Sequence, residues 1–291
     1  MKESDIEQSL GDVARSLRGP NERRVNVLRV AESLGLQVSV ALHDSPDSTQ
    51  ARIELQRRPP MISIFRASET RGNRRLGVAD EWMLTRRERF SVAHEIGHWI
   101  ASKQIGVSQP SGTRDYWLQE RWMNTFAGSL LVPEWLLQGW LAETPEEEPV
   151  PPVAVWRWAT HDLHVSEEVL ASAIARVRPS SAFVKLVRTS KRSDSSSVLK
   201  VQFSAADSLQ VPARGTHICD AHLDADLSNR SMGRKVLPQW TLGRCPPQDV
   251  ILMWRTSSPK VESYPGPTVC WLSMTRLAER TAPLHETASL F

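Results

Sequence analysis

Arg87-Glu88-Arg89-Phe90-Ser91-Val92-Ala93-His94-Glu95-Ile96-Gly97-His98-Trp99 reads as one helix with a chemical face. Phe90, Ala93, Ile96, Gly97 and Ile100 recur at helical spacing and supply a side that packs. His94 and His98 are four residues apart, so one face offers two imidazoles to a single metal ion. Glu95 projects beside them, placed to take a proton from a water that the metal activates. The bland alternative is a pair of helix-surface histidines around a glutamate. The apolar flanks argue against it, because they mark a helix that is packed rather than free.

Two histidines do not complete a hydrolytic site. Catalytic zinc usually takes three protein ligands and keeps a position for water. The next helical run, Asp115 to Leu131, offers Glu120. Met123, Phe126, Ala127, Leu130 and Leu131 form the buried stripe of that helix, and Pro133 marks its end. Spacing alone leaves open whether Glu120 is a ligand or a solvated carboxylate. Tyr116, one turn earlier, is a candidate oxyanion donor, although beside Trp117 it reads as packing.

Arg-Phe-Ser-Val-Ala-His-Glu-Ile-Gly-His over 89–98, then Glu-x-x-x-Asn-x-Phe-Ala-x-x-Leu-Leu-Val-Pro over 120–133, resembles the ImmA/IrrE family of bacterial metallopeptidases. The resemblance covers about Asn21 to Pro179 with good motifs and Ser180 to Arg276 with poor ones. It implies His94, His98 and Glu120 as metal ligands and Glu95 as general base, with Zn2+ as the metal and Mn2+ or Fe2+ suited to the same donors. It implies an α+β fold with three parts. Residues 1–142 would form a small thermolysin-like (gluzincin-type) metallopeptidase domain of helices and a three-stranded sheet. Residues 153–179 would form a helix-turn-helix-like segment, and 180–291 a mostly β, GAF-like sensor domain with a pocket for a small effector. The activity implied is site-specific cleavage of a helix-turn-helix transcriptional repressor, which derepresses stress or mobile-element genes. The rival is a non-catalytic DNA- or protein-binding regulator with a structural metal. Glu95 separates the two, since a structural site has no need of a base beside an open metal position.

Composition narrows the classes. At 291 residues the chain is long enough for two domains. No apolar run approaches a membrane span, and the polar start Met1-Lys2-Glu3-Ser4-Asp5 is no secretion signal. Three widely spaced cysteines, Cys219, Cys245 and Cys270, fit reduced thiols in a cytoplasmic protein. A net charge of +3 creates no strong field for nucleic acid. Eight of the eleven tryptophans fall between Trp82 and Trp158, and most read as core and groove lining around the catalytic helices.

Along the chain, Ser4 to Leu17 and Asn21 to Leu34 read as amphipathic helices, the second closed by Gly35. Gln37 to Leu42, Arg52 to Gln56 and Met61 to Phe65 read as strands, one of them an edge able to hold an extended substrate. Ala67 to Leu84 is expected as a loop at the cleft rim. That loop and its flanks carry Arg57, Arg58, Arg66, Arg71, Arg74, Arg75, Arg86, Arg87 and Arg89. They suit phosphates or an acidic partner, but five acids among them favour a solvated rim. A helix over Glu134 to Leu141 runs into a Pro- and Glu-rich surface loop. Val155 to Arg176 reads as helix, tight turn at Leu163 to Val165, and second helix capped by Ser166. Glu167 and Glu168 at the start of that second helix oppose direct DNA binding. Val184 to Arg188, Val198 to Phe203, Val250 to Trp254 and Thr268 to Met274 are short strands. His217-Ile218-Cys219-Asp220-Ala221-His222 fits no metal spacing, and the tail from Glu279 reads as loosely attached.

Overall fold

The computed structural model describes residues 3–42, 51–66, 74–107, 112–190, 197–207, 209–218, 232–240, 248–257 and 269–276. The His217–His222 segment lies partly, and the tail from Glu279 wholly, outside them, as do Cys219 and Cys245. The chain divides into two compact units, Met1–Trp140 with Ala154–Val177, and Leu141–Val153 with Arg178–Phe291. Together they make a mixed α+β architecture with a β-rich C-terminal part. Among the described residues no helix is long and apolar enough to cross a membrane.

In the first unit, β1 (Gln37–Leu42), β2 (Ala51–Glu54), β3 (Met61–Arg66) and β4 (Arg74–Leu76) form one sheet in the order β2-β3-β1-β4. β1 runs parallel to β3, while β2 and β4 pair antiparallel on the two edges. The alternation is visible in the side chains: Val38, Val40, Ile62 and Ile64 are buried on one face, and Ser39, Ser63 and Arg75 stand on the other. The sheet therefore has four strands, not the expected three. The stretch 67–84 is not simply a rim loop either, since it holds β4 and a 3-10 helix over Val78–Met83. Three residues, two of them arginine, make too short and polar a run to read as a strand, yet β1 supplies the ladder they need.

Two helices precede the sheet, α1 (Glu3–Ser16) and α2 (Val27–Ser33). α2 begins six residues later than the periodicity suggests. Asn26 caps it, its side-chain oxygen accepting from the Arg29 amide at 2.9 Å, and Asn21 takes a left-handed φ of 64° in the turn before. Gly35, at φ 72°, closes α2 as expected, with the Leu36 amide donating to the Ala31 carbonyl at 2.9 Å.

The metal-motif helix is α3 (Arg86–Ile100), and it meets α4 (Thr113–Leu131) at close range. A Cβ at Gly97 would lie 3.0 Å from a Phe126 ring carbon and 3.1 Å from the Met123 sulfur, so the missing side chain sets the spacing of the two helices. Gly97→Ala is expected to force them apart at a cost of about 1–3 kcal/mol. Chemical denaturation together with the zinc content of the purified variant would check this, both falling if Gly97 sets the spacing.

Arg89 is wholly buried rather than part of a solvated rim. Its Nε donates to Glu81 at 2.7 Å, Nη2 to the Val25 carbonyl at 2.6 Å, and Nη1 to the carbonyls of Leu163 and His164 at 2.9 and 2.5 Å. One side chain thus ties α3 to the approach to α2, to the 3-10 helix and to the turn at His164. After α5 (Glu134–Leu141), α6 (Pro152–Arg157) continues as a π turn over Trp158–Leu163. His164 then turns the chain at φ 53° into α7 (Glu167–Val177), whose first turn is capped by the Ser166 hydroxyl accepting from the Val169 amide at 3.3 Å. Residues 154–177 belong to the same compact unit as α3 and α4.

The tryptophans depart from their expected place. Trp122 is buried at 5% exposure, but Trp82 and Trp117 are 76% and 65% exposed, and Trp135 and Trp156 are exposed as well. Trp140 stacks on Trp158 with ring centroids 4.7 Å apart. Half of this group is exposed on the surface, and of the eight only Trp122 is fully buried.

The second unit is a six-stranded antiparallel sheet in the order β7-β6-β5-β10-β9-β8. Its strands are β5 (Ser181–Ser190), β6 (Ser197–Ala206), β7 (His217–Ile218), β8 (Met232–Trp240), β9 (Gln248–Ser257) and β10 (Val269–Arg276). Four match expected strands at greater length, and β7 and β8 are additional. Val184, Leu186, Leu252, Trp254, Leu272 and Met274 anchor its apolar core. Arg178 donates to the Thr144, Pro145 and Glu148 carbonyls, and Arg234 pairs with Glu148 at 2.6 Å, so the Glu-rich loop is tied to this sheet.

Candidate metal centre

The start of α3 is fixed by a reciprocal cap. The Thr85 hydroxyl accepts from the Glu88 amide at 3.2 Å, and the Thr85 amide donates to the Glu88 carboxylate at 2.8 Å. Arg66, at the end of β3, grips the same carboxylate with Nε at 2.6 Å and Nη2 at 3.0 Å. Burial alone would raise Glu88, but Arg66 and Thr85 outweigh it and hold the carboxyl below its ordinary range. The sheet therefore sets where α3 begins, and α3 in turn sets where the histidines point.

Two turns on, His94, His98 and Glu120 converge. The Nε2 atoms of His94 and His98 are 3.2 Å apart, and each lies close to a Glu120 oxygen, at 3.3 and 3.4 Å. In a tetrahedral site with bonds of about 2.0–2.2 Å, donor atoms stand roughly 3.3–3.6 Å from one another. The three edges match that triangle, so two imidazoles and one carboxylate fit a divalent metal such as zinc. Among the described residues this is the set of three or more His, Cys, Asp or Glu side chains able to hold one. It has three members, which is the ligand number of a catalytic rather than a closed structural site.

The surrounding groups tune the set. Without a metal, the His94 and His98 rings hydrogen-bond Glu120 and pull its carboxyl down to about 2. Burial opposes the charged form of His94, but Glu120, Glu95 and Asn124 together raise it above its ordinary value. Burial raises Glu95, against the pull of the two histidines and the Ile53 amide. That amide, on β2, donates to Glu95 Oε2 at 3.0 Å and fixes the carboxylate beside the ligand set.

Asn124 was not legible from the motif alone. Its Oδ1 lies 3.0 Å from His94 Nδ1, which must donate, leaving Nε2 with a lone pair directed at the site. The available signal was spacing: Asn124 stands one helical turn after Glu120, on the same face of α4. Asn124→Ala is expected to weaken zinc affinity about 10–100-fold with the fold intact, as measured by competition with a chromophoric chelator.

A groove of about 430 Å3 opens onto this cluster. β2 forms one wall through Ala51 and Ile53, with Leu55 in the turn that follows, while Tyr116, Val107 and Met123 line the remainder, with Glu95, His98 and Glu120 at the base. Tyr116 is half-exposed in the groove, its ring 5.2 Å from Trp117 in an edge-on pair, so it is not a packed core residue. No tryptophan lines this groove among the described residues.

Residues 51–174 match the family model of the IrrE N-terminal-like domain, Peptidase_M78. The matched span carries the strand β2, the whole ligand set and Glu95, and it supports the ImmA/IrrE family and a metallopeptidase-type enzyme. Among solved structures, a Mycobacterium tuberculosis transcriptional regulator is similar in fold, with a TM-score of 0.53 and 12% identity over 98% of this chain and 80% of that one. No curated protein matches the chain.

Proposed function

We propose that this chain is a metal-dependent, site-specific endopeptidase that cleaves a helix-turn-helix transcriptional repressor and thereby derepresses stress or mobile-element genes. The observation that carries the reading is the placement of Glu95 beside a three-ligand set at the base of a groove walled by an edge strand. His94, His98 and Glu120 would hold the metal, which would supply a Lewis acid for the scissile carbonyl and lower the pKa of water at the site. Glu95 takes the proton of the attacking water and returns it to the leaving amine. The Ile53 amide keeps that carboxylate oriented, and Asn124 keeps His94 in the tautomer that ligates.

Substrate binding follows from β2. It is an edge strand, paired among the described residues with β3 alone, and its other side lines the groove. An extended segment of the repressor adds to that edge by main-chain pairing, which presents successive peptide bonds to the base of the groove. Side chains on one side of the segment meet the apolar wall of Ala51, Val107 and Met123. Residues 154–177 serve a structural or substrate-docking role rather than DNA binding, since Glu167 and Glu168 at the start of α7 would face a phosphate backbone with the wrong charge. The C-terminal sheet is the regulatory, GAF-like part, with a small effector as its ligand.

The test is incubation of the metal-loaded full chain with the helix-turn-helix repressor encoded nearest to it, with zinc or manganese added. A single discrete cut, mapped by intact-mass spectrometry, is expected. An uncut repressor in a sample of confirmed metal occupancy would count against this substrate and favour the non-catalytic regulator.

A further inference from the structure

The arginines around the entrance of α3 separate into two groups. Arg66 is bidentate on Glu88, Arg74 pairs with Asp80 at 3.0 Å, Arg89 is buried against Glu81, and Arg57 pairs with Glu54 at 3.2 Å. Arg71 lies outside the described residues. Arg58, Arg75, Arg86 and Arg87 remain, none with a side-chain hydrogen bond or ion pair to a described residue, and of these Arg58 and Arg75 line a common groove.

These two flank a polar hollow. Ser39 and Arg75 are register partners on β1 and β4, so their side chains rise from the same face of the sheet, the one carrying Ser63 rather than Val38 and Val40. Ser39 is only 5% exposed, and its hydroxyl has no hydrogen-bond partner among the described residues. Arg58 comes in from the turn before β3. A groove of about 420 Å3 is lined by Gln37, Ser39, Arg57, Arg58 and Arg75, and it shares no residue with the catalytic groove. A second hollow of about 240 Å3 continues from it through Gln37 and Arg75 and is walled by Leu28, Leu36 and Leu76.

We propose that this outer face of the four-stranded sheet binds a small phosphorylated molecule of nucleotide size, its phosphate held by Arg58 and Arg75 over the Ser39 hydroxyl. A buried hydroxyl without a partner is a costly feature that a ligand oxygen relieves. Two guanidiniums with no carboxylate of their own offer forked donors that match phosphate oxygens. Among the described residues no acid lines the larger groove; Glu32 lines the adjoining hollow, and Glu54 is engaged by Arg57. The volume falls within the range of about 300–1,000 Å3 usual for small-molecule sites, and the adjoining hollow, of mixed polar and apolar lining, leaves room for the organic part of the ligand.

Calorimetric titration of the zinc-loaded full chain with AMP, inorganic phosphate, acetate and a single-stranded DNA 12-mer tests this. Saturable 1:1 binding of AMP is expected, weakening as salt rises. Arg58→Gln and Arg75→Gln should each lower the affinity at least tenfold, and Ser39→Ala a few-fold, with melting temperature and zinc content unchanged in the arginine variants. Phosphate binding as tightly as AMP would still support the phosphate site and identify the free anion as its source. The proposal is overturned by the absence of saturable binding with AMP and phosphate, by acetate binding as tightly as phosphate, by binding of the oligonucleotide alone, or by an affinity unchanged in the two arginine variants.

Discussion

Glu95→Gln should leave a protein that binds zinc like the parent and cleaves its repressor about 10^2–10^4-fold more slowly, the usual contribution of a positioned general base. The substitution is nearly isosteric, and its amide oxygen can still accept from the Ile53 amide, so β2 and α3 stay joined. His94, His98 and Glu120 are untouched, which separates loss of the base from loss of the metal. The measurement is the single-turnover rate of repressor cleavage, paired with metal content by inductively coupled plasma spectrometry. Parental cleavage by a fully loaded Glu95→Gln protein would remove the general-base role and with it the mechanism given above.

Arg89 should produce the largest stability effect in the first unit. Arg89→Ala removes the donors that satisfy Glu81 and the carbonyls of Val25, Leu163 and His164, all at a site where Arg89 itself has no solvent exposure. Breaking a buried ion pair from one side costs about 3–5 kcal/mol, a large part of a stability margin of roughly 5–15 kcal/mol. Arg89→Lys should recover little, because one ammonium cannot reach acceptors arranged around a planar fork. Replacing Arg89 and Glu81 together by apolar residues should cost less than Arg89→Ala, since no carboxylate is then left buried and unpaired. Urea denaturation of the single and double variants checks the order. A double variant no more stable than Arg89→Ala would show that the unpaired Glu81 carboxylate is not what makes the single substitution costly.

Sequence reading reached the site further than the fold. The His-Glu-x-x-His spacing and the position of Glu120 are local patterns, and the structure brings those three donors to within ligand distance of one another. α5 and β1 are legible for the same reason, since composition and periodicity within the segment decide them. Arg89 is different. In the sequence it is one arginine among nine, and only the approach of Val25, Glu81 and Leu163 from distant segments makes it a buried staple. β8 was hidden by Pro238 within it, which argues against a central strand; β8 lies at the edge of its sheet with a register shift between Leu237 and Trp240, where proline is tolerated. Tryptophan density likewise says that large rings are present, not which way they face, and half of those between Trp82 and Trp158 are exposed.

The bond between Glu95 and the Ile53 amide also bears on how the protein lives with its neighbours. An unpaired strand edge is a template on which another copy of the same chain can build a sheet, and a protein that needs such an edge for its work carries that hazard with it. Here the edge strand is four residues long, and one of its outward amides is already committed to a carboxylate on α3. Any chain laid along β2, a substrate segment included, meets a ladder interrupted at Ile53 beside the Glu95 carboxylate. The same interruption that limits sheet-building between copies keeps any pairing with a substrate segment short and local.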